Sequence, residues 1–161
     1  MALIKAFLKA GILTELGGQE ETLTGTPQGG ILSPLIANVA LSALDEHFAH
    51  AWQTKMATRP ARESIRRRGG ATYRLIRYAD DFVVCVAGGQ QHAEALKVEV
   101  EQVLAPLGLR LSPEKTRVVS IDEGFDFLGF TIKRVRGRHG RMVIHTYPSK
   151  RALQSRQEQG A

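Results

Sequence analysis

Tyr78-Ala79-Asp80-Asp81 interrupts a run of β-prone apolar residues, with Tyr73, Leu75 and Ile76 before it and Phe82, Val83, Val84 and Val86 after it. Two such runs separated by a short polar break predict an antiparallel hairpin closed by a tight turn. Two adjacent carboxylates then sit at its tip, where they repel each other and favour solvent. A positive ligand explains placing them there, and divalent magnesium takes oxygen donors of this kind. The plainer alternative is turn chemistry, because Asp tolerates turns well.

Around this hairpin the pattern alternates between helix and strand. Residues 3, 4, 7, 8 and 12 give Ala2 to Leu13 a helical period, and Gly17-Gly18 makes a turn. Thr22 to Thr24 suits a short strand, and Gly25 to Gly30 forms a glycine-rich loop. Ser33-Pro34 opens a long helix running through Leu35, Val39, Leu41, Leu44 and Phe48 towards Trp52. Residues 54–72 predict a basic surface connection ending in Gly69-Gly70. After the hairpin, His92 to Leu107 predicts a second helix with Ala95, Leu96, Val100, Val103 and Leu104 inward. Ser112 to Lys115 is a turn, and Val118 to Ile121 and Phe125 to Ile132 are strands, the latter interrupted at Gly129. A basic turn over Arg136 to Arg141 leads into a strand over Met142 to Tyr147. Residues 151–161 read as a polar, frayed tail. The order predicts an α+β domain over residues 1–150, an antiparallel sheet with helices packed on one face.

Charge narrows the partner. The 22 Lys and Arg outnumber 16 Asp and Glu, for a net charge of +6. Fifteen of those 22 cations lie in two stretches, 54–77, where Glu63 is the one acid, and 133–151, which has none. Arg66, Arg67 and Arg68 in the first and Arg136, Arg138 and Arg141 in the second are candidates for binding RNA or DNA. A solvated basic face is the alternative. The single cysteine, Cys85, lies in an apolar strand pattern, which predicts a buried, inert thiol and excludes an internal disulfide. His50, His92 and His145 show no metal-binding spacing. No apolar run is long enough for a membrane, and Met1 to Gly11 is amphipathic without a cleavage site, so a cytoplasmic location is the expectation.

Five stretches occur in a fixed order: Gly25-Thr26-Pro27-Gln28-Gly29-Gly30-Ile31-Leu32-Ser33-Pro34, Tyr78-Ala79-Asp80-Asp81, Leu109-Arg110-Leu111-Ser112-Pro113-Glu114-Lys115-Thr116, Phe127-Leu128-Gly129-Phe130 and Tyr147-Pro148-Ser149. Together they resemble the reverse transcriptase of bacterial group II introns, the intron-encoded maturases, from about Leu3 to Lys150. The resemblance implies a polymerase palm with Asp80 and Asp81 holding catalytic Mg2+ on its hairpin. It implies that Pro27, Gln28, Gly29, Tyr78 and Ala79 form the nucleotide-binding surface. Lys115 would approach the triphosphate and assist the leaving pyrophosphate, against the alternative of a surface lysine. Phe127, Leu128, Gly129 and Phe130 resemble the hairpin that grips the primer end, against the alternative of a strand with a glycine bulge. The implied partners are an intron RNA template, a DNA primer and deoxynucleoside triphosphates.

One feature departs from that family. A palm polymerase also uses a carboxylate on a neighbouring strand, upstream of the glycine-rich loop. Before Asp45 this chain contains only Glu15, Glu20 and Glu21, and Asp45 itself falls in the long helix. The expectation is a central palm piece, without fingers or the upstream aspartate strand, that is inactive unless the missing half is supplied. The competing expectations are a catalytically dead RNA-binding palm, or a reverse transcriptase of the retron, diversity-generating or CRISPR-associated kind.

Overall fold

The computed structural model describes residues 12–13, 19–20, 33–138 and 140–159. Its longest element, helix α1, spans Ser33–Lys55 and buries Leu41, Leu44, Phe48 and Ala51 at helical spacing. Helix α3 (Gln90–Leu104) answers with Leu96, Val100 and Leu104. The two stripes pack on one face of the hairpin formed by β3 (Thr72–Tyr78) and β4 (Asp81–Ala87). Tyr73 and Leu75 from β3, and Phe82, Val84 and Val86 from β4, supply that face. They alternate along their strands because successive side chains point to opposite sides. Phe48 meets Tyr73 edge-on, with ring centroids 5.6 Å apart. Burial, with Glu99 nearby, raises the Tyr73 phenol above its ordinary value.

Leu44 is fully buried at the centre of this cluster. Leu44→Ala should therefore destabilise the domain by about 3 kcal/mol, the transfer loss plus an unfilled cavity. Urea unfolding measures this; a loss under about 1 kcal/mol would mean that the two helices do not share a core.

Between α1 and β3 lies helix α2 (Arg59–Arg67), within the stretch expected to be a plain connection. Thr58 caps it by accepting from the Ala61 N–H at 3.3 Å, and Pro60 occupies its first turn. No residue of α2 is buried. It is anchored instead through Arg62, which donates to the Met56 carbonyl at 2.6 Å and stacks over Trp52 at 5.1 Å. Arg74 of β3 also lies against Trp52, at 5.0 Å.

A three-stranded antiparallel sheet follows, ordered β5 (Phe125–Phe127), β6 (Phe130–Arg136) and β7 (Met142–Pro148). The expected strand over Phe125 to Ile132 is instead a hairpin, with Phe127 paired to Phe130. Leu128 (φ 50°) and Gly129 (φ 80°) both adopt left-handed backbone, the pattern of a two-residue type I′ turn. The Ser149 N–H donates to the Gly129 carbonyl at 2.8 Å and ties this turn to the end of β7. Pro148 is tolerated because β7 is an edge strand.

Other expectations are corrected. Ile12–Leu13 is a strand (β1) paired with Gln19–Glu20 (β2), not the end of a helix. Val118 to Ile121 forms no ladder, although the Ile121 carbonyl accepts from the Arg134 N–H at 2.8 Å. The polar tail is helical over Lys150–Gln159 (α4), and its Ala152 N–H donates to Ser149 Oγ at 3.2 Å. Ala95 faces solvent although it was expected inward. Cys85 is exposed because alternation puts it on the side of β4 away from the helices. Its apolar neighbours still exclude enough water to push its thiol above the usual range. Among the described residues, no helix is long and apolar enough to cross a membrane.

Candidate active site

The two-residue break between β3 and β4 is Ala79-Asp80, closed by the Tyr78–Asp81 pair. Ala79 takes φ 53°, left-handed backbone in which a Cβ costs about 1–2 kcal/mol. Asp80 follows it in the turn, and Asp81 is the first residue of β4. Both aspartates are exposed, and neither carboxylate has a hydrogen bond or ion pair to any described residue. Tyr78 (68% exposed) and Ile76 (50%) share the hairpin face that the helices leave open.

What holds this turn is Arg77, which neither the motif nor the charge pattern singles out. Its side chain lies on the helix-facing side of β3 and is only 14% exposed. Nε and Nη2 donate to the Asp45 carboxylate, at 3.0 Å and 2.5 Å to Oδ2. Nη1 donates to Asn38 Oδ1 at 2.8 Å and to the Ala79 carbonyl at 2.6 Å. The Asp45 carboxylate holds the Arg77 guanidinium in its charged form, raising its pKa further. Asn38 and Asp45 are seven residues apart on α1, two turns along one helix face. That spacing, with an Arg just before Tyr78, is the signal by which the cluster could have been found in the sequence.

The other candidates are distributed more widely. Pro27, Gln28 and Gly29 lie outside the described residues, as do Thr22 to Thr24 and Gly17-Gly18. Lys115 is exposed in a turn whose Lys115 N–H donates to the Ser112 carbonyl at 3.2 Å. Nearby Leu111 packs, partly buried, against the hydrophobic core. Phe127 to Phe130 form the β5–β6 turn, and an added Cβ at Gly129 would stand 3.8 Å from Ala152. No hydrogen bond or ion pair joins Lys115 or this turn to Asp80 or Asp81. Among the described residues there is no cluster of three or more His, Cys, Asp or Glu suited to a metal.

The basic residues separate into paired and unpaired ones. Arg59 bonds Glu63 at 2.9 Å, and Arg77 bonds Asp45. Arg134 grips Asp122 through two bonds of 2.6 Å, which lower the Asp122 pKa and raise that of Arg134. Arg66, Arg67 and Arg68 at the end of α2 have no carboxylate partner among the described residues. The same holds for Arg136, Arg138 and Arg141, gathered around the exposed β6–β7 connection.

The described part of the site is thus a carboxylate pair on a tight hairpin packed against two helices. The chain belongs to the reverse transcriptase (RNA-dependent DNA polymerase) family, which residues 1–132 match. Enzymes of this family generally use divalent metal ions. The chain is 34% identical over 167 residues to protein YkfC of Escherichia coli, covering 94% of this chain and 44% of that protein. It is 29% identical over 195 residues to the group II intron-encoded protein LtrA of Lactococcus lactis subsp. cremoris, covering 94% and 32%. The putative COX1/OXI3 intron 1 protein of Saccharomyces cerevisiae is 25% identical over 164 residues, covering 81% and 20%. These matches bear out the resemblance to group II intron proteins read from the motifs. The chain spans less than half the length of each of these three relatives.

Proposed function

We propose that this chain carries part of the active site of a group II intron-type reverse transcriptase, which extends a DNA primer along an RNA template. The observation that carries this reading is the Asp80-Asp81 turn, with both carboxylates unpaired, open to solvent and next to the uncovered hairpin face. Hard, unpaired carboxylate oxygens suit Mg2+, and Asp80 and Asp81 would supply part of its ligand set. Bound there, Mg2+ would favour ionisation of the primer 3′-hydroxyl and offset charge on the triphosphate. Lys115 would add positive charge beside the leaving pyrophosphate. Pro27, Gln28, Gly29, Tyr78 and Ala79 would contribute to the nucleotide-binding surface, where glycine lets backbone approach a ligand closely. Phe127, Leu128, Gly129 and Phe130 would hold the primer end. The unpaired arginines would neutralise template and primer phosphates.

Two carboxylates from one turn leave a pair of metals under-ligated. No Asp precedes Asp45, and Asp45 is engaged by Arg77. The 161-residue chain alone should therefore show no Mg2+-dependent primer extension. Adding in trans a polypeptide bearing the upstream aspartate strand should restore it. Template-directed synthesis by the pure chain would mean that another group completes the site. Arg66, Arg67, Arg68, Arg136, Arg138 and Arg141, without a carboxylate partner among the described residues, support a second reading, an RNA-binding palm without catalysis, which failed complementation with retained RNA binding would favour.

A further inference from the structure

We infer that Arg77 is a positioning residue for the Asp80-Asp81 pair, coupling the direction of these carboxylates to helix α1 through Asn38 and Asp45. The inference rests on the metal-binding reading of the hairpin. Ala79 adopts a backbone conformation that an alanine disfavours, in a two-residue turn closed by the Tyr78–Asp81 pair. Arg77 supplies support from outside. Its Nη1 donates to the carbonyl of that strained residue at 2.6 Å. This carbonyl belongs to the peptide that leads into Asp80, so fixing it fixes where the Asp80 side chain leaves the backbone.

The guanidinium is itself fixed at two places on α1. Asp45 takes Nε and Nη2, and Asn38 shares Nη1 with the turn. Three acceptors in three directions need the planar fork of Arg. A Lys ammonium keeps the charge but presents a single point of donors on a flexible stem. Because α1 is anchored in the core by Leu41, Leu44 and Phe48, the turn is referenced to the most buried part of the domain. The arrangement parallels groups outside a metal's direct ligands, which orient those ligands and typically change affinity about 10–100-fold when removed.

The test uses the 161-residue chain with Mn2+ as the probe, read as paramagnetic broadening of backbone amide NMR signals. Wild type should show broadening centred on Asp80 and Asp81. Arg77→Lys should weaken that binding about tenfold, with core signals from Leu44, Leu96 and Val100 unchanged. Asn38→Ala should weaken it about threefold, because it removes one neutral acceptor and leaves the ion pair in place. Asn38 is exposed, so this variant remains informative if Arg77→Lys does not fold. Unchanged Mn2+ affinity in Asn38→Ala together with unchanged affinity in any folded Arg77→Lys would overturn the positioning role and leave the metal reading standing. Absence of localised broadening in wild type would overturn the metal reading itself, and the inference with it.

Discussion

Asp80→Asn is expected to lower primer extension by about 10³-fold or more, while circular dichroism and the unfolding midpoint stay close to wild type. The comparison is made in a form of the protein that extends a primer, such as this chain complemented in trans. Asn keeps the turn propensity of Asp and nearly its shape, but it removes a charged oxygen ligand. Asp80 makes no hydrogen bond or ion pair that the fold would lose. A loss of ~4 kcal/mol of transition-state stabilisation suffices for that rate change, since each ~1.4 kcal/mol is tenfold. Asp81→Asn should follow in the same direction with a smaller effect. A folded Asp80→Asn enzyme with near-normal extension would show that the carboxylate pair serves the turn and not a metal.

RNA binding should be strongly salt-dependent and weakly sequence-dependent. With about six phosphates neutralised, affinity should fall by roughly 10³ between 50 and 200 mM salt, by counterion release. The structure indicates which cations should contribute most. Arg59, Arg77 and Arg134 already face carboxylates, whereas Arg66, Arg67, Arg68, Arg136, Arg138 and Arg141 do not. Replacing Arg66, Arg67 and Arg68 with Ala should therefore flatten the salt slope by about half if three of six contacts are lost. Replacing Arg59 and Arg134 should change it less. Filter binding across a salt series measures this. A salt-independent affinity, or no binding at low salt, would remove the nucleic-acid role from both patches.

Local chemistry was enough to read the hairpin. Seven-residue β3 and β4 meet in the register that the apolar runs on either side of Ala79-Asp80 imply. Ser33-Pro34 marked the start of α1, and the stripe on residues 96, 100 and 104 marked α3. Each of these signals is carried by neighbours in the chain, through alternation, helical period or a terminal residue. Helix α2 was hidden because charge dominates its composition, although Thr58 and Pro60 marked its start. The sequence leaves the Leu128-Gly129 reversal open between a hairpin and a bulged strand because one glycine suits either, and the partner strand decides between them.

The candidate site divides along the same line. The sequence by itself determined the family, through the order of its motifs, and the two exposed carboxylates at the hairpin tip. It did not mark which face of the hairpin is buried, because Phe82 to Ala87 is an almost continuous apolar run without polar alternation. Only the tertiary structure decided which face that is, and so that Cys85 lies outside while Arg77 lies under the helices. It likewise separated the paired arginines from the unpaired ones, and it joined Asn38, Asp45 and Arg77 across a separation of 39 residues. Those outcomes depend on where α1 crosses the hairpin. Packing of Leu44 and Phe48 against Tyr73 and Leu75 sets that crossing, and no local pattern encodes a contact between distant segments.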